Sequence, residues 1–191
     1  MSTSQQANIG TTPVRAGYEL DAERLDQWLR AHVPNYAGPL LIEQFKGGQS
    51  NPTYKLSTPT ASYVLRRKPG GPILPGAHAV EREARVQAAL GAVGFPVPRM
   101  HALCTDESVL GTPFYVMDLV AGRIFWDATL PDVPREQRPE YFQAMSRTLA
   151  RLHRLDPQVI GLGDYGRSGG YVQRQLKRLS DQYRNDTLAG R

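Results

Sequence analysis

Four sets of residues in this chain have types and spacing that could hold a phosphorylated ligand. Gly47-Gly48-Gln49-Ser50-Asn51 joins two β-prone stretches. Glycines there let backbone N–H groups come close to phosphate oxygens, and Ser50 and Asn51 add polar side chains. The same five residues suit a plain hairpin turn, and they match neither a Walker A loop nor a GxGxxG loop. Arg66, Arg67 and Lys68 end a later stretch in which alternation puts Tyr63 and Leu65 on one face and Val64 and Arg66 on the other. Arg66 would then lie under the glycine turn, where a cation neutralises α- and β-phosphates; solvated charges at a strand end are the commoner origin of such a run. Glu83, within AVEREARV, falls on an inward turn near Val80 and Ala84, where a carboxylate could hold the strand cation in place. An exposed glutamate among Glu81, Arg82 and Arg85 fits that spacing equally well. Finally, Phe114–Ala121 with Gly122 after it is an apolar strand leaving its sheet. Free backbone N–H and C=O groups beside an apolar wall suit an adenine ring, although a core strand has the same composition.

These residues need elements to position them. Asp21 is a candidate N-cap for a helix with Leu25, Trp28 and Leu29 on one face, ending near His32 because Pro34 follows. Leu40–Phe45, Thr53–Ser57 and Ser62–Arg67 read as strands, separated by turns at Gly47–Asn51 and Thr58–Ala61. Pro69–Gly76 is a loop. A helix is expected over Ala79–Leu90, stopped by Gly91 or Gly94 and by Phe95-Pro96-Val97-Pro98. Strands over Met100–Cys104 and Phe114–Leu119 follow, joined by a turn containing Gly111 and Pro113. Beyond Gly122 the texture is helical: a short helix near Phe125–Thr129, a long one over Arg135–Arg154, and an amphipathic stretch over Tyr171–Leu188. Three strands, a helix, two strands and then helices predict an antiparallel α+β lobe followed by the start of an all-helical lobe.

Bulk properties narrow the class. No apolar run approaches the ~20 residues of a membrane span, and the polar N-terminus lacks the apolar centre of a secretory signal. A disordered tail over residues 1–17 and a cytoplasmic setting are the expectations. The single cysteine, Cys104, permits no internal disulfide and reads as a buried structural thiol. The net charge of +5 is concentrated between Arg135 and Arg191, where eleven Lys and Arg face six Asp and Glu. The bases are spaced along helical patterns with no long basic run, which favours a solvated face over a nucleic-acid surface.

Taken in order, FKGGQSNPTYKL, YVLRRKP, AHAVEREARV, GFPVPRM, GTPFYVMDLVAGRIF, LARLH and GGYVQRQ resemble the aminoglycoside phosphotransferase-like family of small-molecule kinases. The similarity is greatest to the kinase-like domains fused to acyl-CoA dehydrogenases and their bacterial relatives, and it spans about Leu40 to Tyr183. The resemblance implies a protein-kinase-like N-lobe (an antiparallel five-stranded sheet plus a helix, residues 18–121) and the first helices of an incomplete helical C-lobe (122–191). It implies ATP and Mg as cofactors and a small-molecule hydroxyl acceptor, acyl-CoA-like if those relatives are the guide. Gly47, Gly48, Ser50 and Asn51 would belong to the phosphate loop. Arg66 stands where many relatives have lysine, with Lys68 as the fallback, and Glu83 would be its helix partner. Asp118 and Val120 would offer main-chain contacts to adenine.

The family's catalytic loop, His-Gly-Asp with an asparagine several residues on, and its separate metal-binding aspartate have no counterpart in the sequence. His153-Arg154-Leu155-Asp156 has an extra residue before the aspartate and no following asparagine, and Asp156 before Pro157 reads as a helix-ending turn. No catalytic residue and no metal ligand is therefore assigned; His32, His78 and His101 are isolated from partners at ligand spacing. The leading expectation is the nucleotide-binding portion of a small-molecule kinase, truncated before its catalytic loop. The alternative is a non-catalytic pseudokinase-like module that associates, for example as a homodimer, through apolar faces of its exposed helices. A basic nucleic-acid binder ranks last.

Overall fold

In the computed structural model, residues 9–47, 51–71, 78–125, 127–166 and 169–185 are described. The chain divides into two units, residues 1–154 and 155–191.

The first unit is built on a six-stranded antiparallel sheet. Its strands are β1 (Thr11–Thr12), β2 (Leu41–Phe45), β3 (Thr53–Ser57), β4 (Ser62–Arg67), β5 (Met100–Cys104) and β6 (Phe114–Asp118). The spatial order is β1-β2-β3-β4-β6-β5. Helix α1 (Ala22–His32) precedes the main sheet and α2 (Val80–Ala92) lies between β4 and β5. A single helical turn, α3 (Glu107–Leu110), joins β5 to β6, and α4 (Arg138–His153) closes the unit.

Local chemistry explains most boundaries. The Asp21 carboxylate accepts from the Arg24 N–H at 3.0 Å, so α1 starts where the N-cap is expected. The turn between β5 and β6 contains a helical turn that the sequence reading leaves out: Asp106 caps the Ser108 N–H at 2.9 Å, and Gly111 takes φ +79° to end it. Around Phe125–Thr129 the expected short helix does not form. The Asp127 carboxylate takes both the N–H and the hydroxyl of Thr129, at 2.8 and 2.7 Å, and that local bonding favours a turn over a helix. Trp126 lies outside the described residues. Helix α4 starts at Arg138 rather than Arg135, with Pro139 in its first turn, where a missing N–H costs nothing.

The N-terminal segment corrects the expectation of a five-stranded sheet with a free tail. Thr11 and Thr12 pair with Phe45 and Gln44 of β2. The Thr11 hydroxyl donates to Glu43 at 2.8 Å, and the buried Gln44 Oε1 takes both the N–H and the Nε–H of Arg15, at 3.1 and 3.2 Å. A two-residue strand is too short to show a period of its own. It forms because the edge of β2 offers unpaired backbone groups and a buried amide needing donors.

The two faces of the sheet are filled differently. Tyr54, Leu56, Tyr63, Leu65, Phe114 and Val116 alternate onto one face and pack with Leu25, Leu29 and Val33 of α1 and its exit. Trp28 meets Phe114 edge-on at 4.8 Å. On the other face Tyr115, with Met100 and Met117, meets only Val80 and Ala84 of α2. Cys104 is buried, as its apolar neighbours suggest, and burial pushes its thiol pKa up.

Helix α4 leaves Phe142, Met145, Leu149 and Leu152 exposed, and Arg151 lies over the Phe95 ring at 5.6 Å. In the second unit, the Asp156 carboxylate accepts from the Gln158 N–H at 2.8 Å, the turn expected there. Helix α5 (Tyr171–Arg184) follows with Val172, Leu176, Leu179 and Tyr183 exposed along one side. No helix among the described residues is long and apolar enough to cross a membrane.

Candidate nucleotide site

Alternation on β4 turns Leu65 into the α1 face and Arg66 to the other, beneath α2. Val80 and Ala84 seat α2 on that face, and this puts Glu83, one position before Ala84, over the strand. The Arg66 Nε–H donates to Glu83 Oε2 at 2.8 Å, and the Arg66 Nη1 group reaches the Thr53 hydroxyl of β3 at 3.4 Å. The side chains keep 28% and 35% of their surface, so the pair is neither sealed nor free.

Two further side chains converge on the carboxylate, each with a partner of its own. The Tyr115 hydroxyl donates to Glu83 Oε2 at 3.1 Å and accepts from Gln87 Nε2 at the same distance. Asn51 Nδ2 donates to Glu83 Oε1 at 3.1 Å, while Asn51 Oδ1 lies 2.8 Å from His78 Nδ1. Burial, with Glu83 beside it, pushes the Tyr115 phenol up to about 12. Ionising that phenol would put a second negative charge against the carboxylate.

Glu83 is thus fixed from three directions, and Arg66 is held through Nε and Nη1. Its Nη2 makes no bond to another described residue. A guanidinium oriented in this way keeps donors for anionic oxygens, and it presents them in a planar fork rather than as a point charge.

The other expected positions are placed as follows. Gly47 is half-buried after β2, while Gly48 and Ser50 lie outside the described residues. Asn51 is 2% exposed, with its amide bonded to Glu83 and His78. Lys68 does not join Arg66. It lines a separate shallow hollow with Pro69, Gly71, Glu107 and Thr112, because its N–H donates to Pro113 O beyond the strand end. Asp118 ends β6 with its N–H donated to Arg99 O at 2.9 Å and its carboxylate 2.6 Å from His101 Nε2. Val120, just past the strand, is 64% exposed.

Sequence reasoning passed over Tyr115 and Gln87, and weighed His78 and His101 only as metal ligands. Tyr115 alternates with Phe114 and Val116 along a core strand, and only the packing of α2 makes its hydroxyl a partner of Glu83. A signal was available for Gln87, four positions after Glu83 and hence on the same helix face.

The residues present fit a phosphate-bearing ligand, through an oriented, half-exposed cation beside the end of the β2–β3 hairpin. Among the described residues no group of three or more His, Cys, Asp or Glu side chains could hold a metal ion.

An antiparallel sheet carrying an inserted helix, with a strand cation locked to a helix glutamate, defines the α+β lobe of a kinase-like fold. Residues 41–189 match the phosphotransferase enzyme family (APH), and the chain belongs to that family. It is 46% identical over 178 residues to acyl-CoA dehydrogenase family member 11 of Gallus gallus, covering 91% of this chain and 23% of that protein. Against acyl-CoA dehydrogenase family member 10 of Mus musculus the identity is 40% over 175 residues, covering 91% and 16%. A solved structure from Ralstonia eutropha, provisionally assigned as an aminoglycoside phosphotransferase, superposes with a TM-score of 0.74 at 49% identity. That match covers 87% of this chain and 48% of the other. The chain therefore spans about half of the solved relative and a quarter or less of these curated ones.

Proposed function

We propose that this chain is the nucleotide-binding portion of an ATP-dependent phosphotransferase acting on a small-molecule hydroxyl, with an acyl-CoA-like compound as the acceptor class. The observation that carries the reading is the Arg66–Glu83 pair, 2.8 Å across β4 and α2. Phosphoryl transfer asks the protein chiefly for positioning and for fixed charge near the phosphates. Arg66, with its Nε and Nη1 engaged and its Nη2 without a bond to another described residue, would hold α- and β-phosphate oxygens while the γ-phosphoryl passes to the acceptor oxygen. The exposed Val120 would offer main-chain groups to the base, and Asp118, whose N–H is given to Arg99 O, would offer its carbonyl. Mg would supply charge neutralisation at the phosphates, and no described residue is assigned to hold it. The acceptor class is supported by relatives whose names place a domain like this one in acyl-CoA dehydrogenase proteins.

The test is titration of the chain with a fluorescent, non-hydrolysable ATP analogue, with and without Mg. The wild-type chain is expected to bind at micromolar to millimolar analogue. Arg66→Gln is expected to weaken binding about tenfold, the equivalent of one charge-assisted contact. Failure of the wild-type chain to bind at millimolar analogue would count decisively against the reading.

A further inference from the structure

The polar chain on the α2 face runs past the Arg66–Glu83 pair to two residues that do not face the ligand. Asn51 is buried, and both ends of its carboxamide are engaged: Nδ2 gives a proton to Glu83 Oε1, and Oδ1 accepts from His78 Nδ1. A carboxamide oxygen cannot donate, so the shared proton sits on His78 Nδ1. His78 stands two residues ahead of α2 and adopts φ +57°, a backbone region that side chains other than glycine rarely occupy. Such a conformation persists where surrounding contacts over-determine it. Here the contact is the imidazole against Asn51, which closes the β2–β3 turn.

We propose that Asn51 and His78 are positioning residues. Together they tie the end of the β2–β3 turn and the segment leading into α2 to the Glu83 carboxylate, and through it they set the direction of Arg66. The order of contacts is His78 to Asn51, Asn51 to Glu83 Oε1, Glu83 Oε2 to Arg66, and Arg66 to Thr53. Tyr115 supplies the remaining donor to Glu83 Oε2. Cutting the chain at His78 or at Asn51 frees the same oxygen, Glu83 Oε1, to turn. The two residues therefore act as one unit on the site without touching the nucleotide. The effect on affinity rests on the nucleotide reading above; the effect on α2 does not.

Two measurements on the full chain separate these parts. The first is hydrogen exchange of the α2 amides, Val80–Ala92, without nucleotide, in the wild type and in Asn51→Ala, His78→Ala, His78→Gly and the double Asn51→Ala/His78→Ala. The second is the affinity of the same proteins for the fluorescent ATP analogue. Each single substitution is expected to speed exchange in the first turns of α2 by about fivefold or more and to weaken the analogue about tenfold. The double variant should be no worse than the worse single one, because both cut one chain of contacts. His78→Gly removes the ring but accepts the positive φ without strain. Faster exchange in His78→Ala but not in His78→Gly would mean that the backbone is the anchor, not the ring, and would overturn the proposal. Additive losses of affinity, or unchanged exchange in the Asn51 and His78 variants, would overturn it as well. If the wild-type chain binds no analogue, the nucleotide reading fails and the exchange rates alone decide the positioning link. His78 is only half-buried, so its variants serve should Asn51→Ala fail to fold.

Discussion

The two faces of the central sheet show how one set of strands can carry stability and a site at once. On the α1 face, tyrosines, leucines and a phenylalanine from three strands, β3, β4 and β6, are sealed by Leu25 and Leu29. On the α2 face, three buried residues suffice for packing, and the space beside them holds a chain of polar contacts centred on Glu83. Apolar contacts are non-directional and tolerate small shifts, whereas charged hydrogen bonds fix direction. The first face should therefore respond to mutation mainly in stability, and the second mainly in ligand affinity.

The largest effect is expected on the first face. Leu29→Ala removes a fully buried side chain and should destabilise the fold by about 2–5 kcal/mol in urea unfolding. The remaining folded molecules should bind the ATP analogue as the wild type does. Loss of affinity in that folded fraction would erase the division between the faces.

Glu83→Gln makes the opposite change. Because the pair is about a third exposed, solvent screening limits the stability loss to about 1 kcal/mol. The analogue Kd should nonetheless rise about tenfold, since Arg66 loses its ionic anchor. A stability loss as large as that of Leu29→Ala, with affinity intact, would show that Glu83 is structural only.

The smallest effect sharpens the comparison through pH. Raising the Tyr115 pKa from 10.0 to about 12 means that the fold favours the neutral phenol. Its contribution is complete below pH 10, the ordinary value, and disappears as pH climbs through about 12. Alkaline titration, followed by tyrosinate absorbance, should show a late-ionising tyrosine that Tyr115→Phe removes. Disappearance of no late step in that variant would assign it elsewhere, for example to Tyr36, whose pKa is also pushed up by burial and by its bond to Asp26.

Much of the scaffold was legible in the residues. Period-two alternation marks β3 and β4 at their observed bounds, and Asp21 marks the start of α1. Arg66 and Glu83 could be singled out because alternation and the placement of Val80 and Ala84 each have a geometric consequence. Residues 11–15 were not legible, since their structure depends on what the β2 edge and Gln44 leave unsatisfied. Lys68 looked interchangeable with Arg66 in sequence, but the strand ends between them and its backbone turns to Pro113. Asn51 was singled out as a polar side chain beside the glycines; that it is buried and bonded to Glu83 and His78 could be seen only in the fold.

By itself, then, the sequence determined the order of the five main strands and the long helices, the apolar stripe of each strand and the family. These follow from local periodicity and from the short range over which caps and turns act. Only the tertiary structure decided which polar groups meet: that Tyr115, Asn51 and Arg66 share one carboxylate, and that Lys68 does not. Those partners lie 17 to 32 residues from Glu83. No local pattern encodes a contact at that separation; it exists because α2 packs across the sheet at one angle and brings its glutamate over the strand.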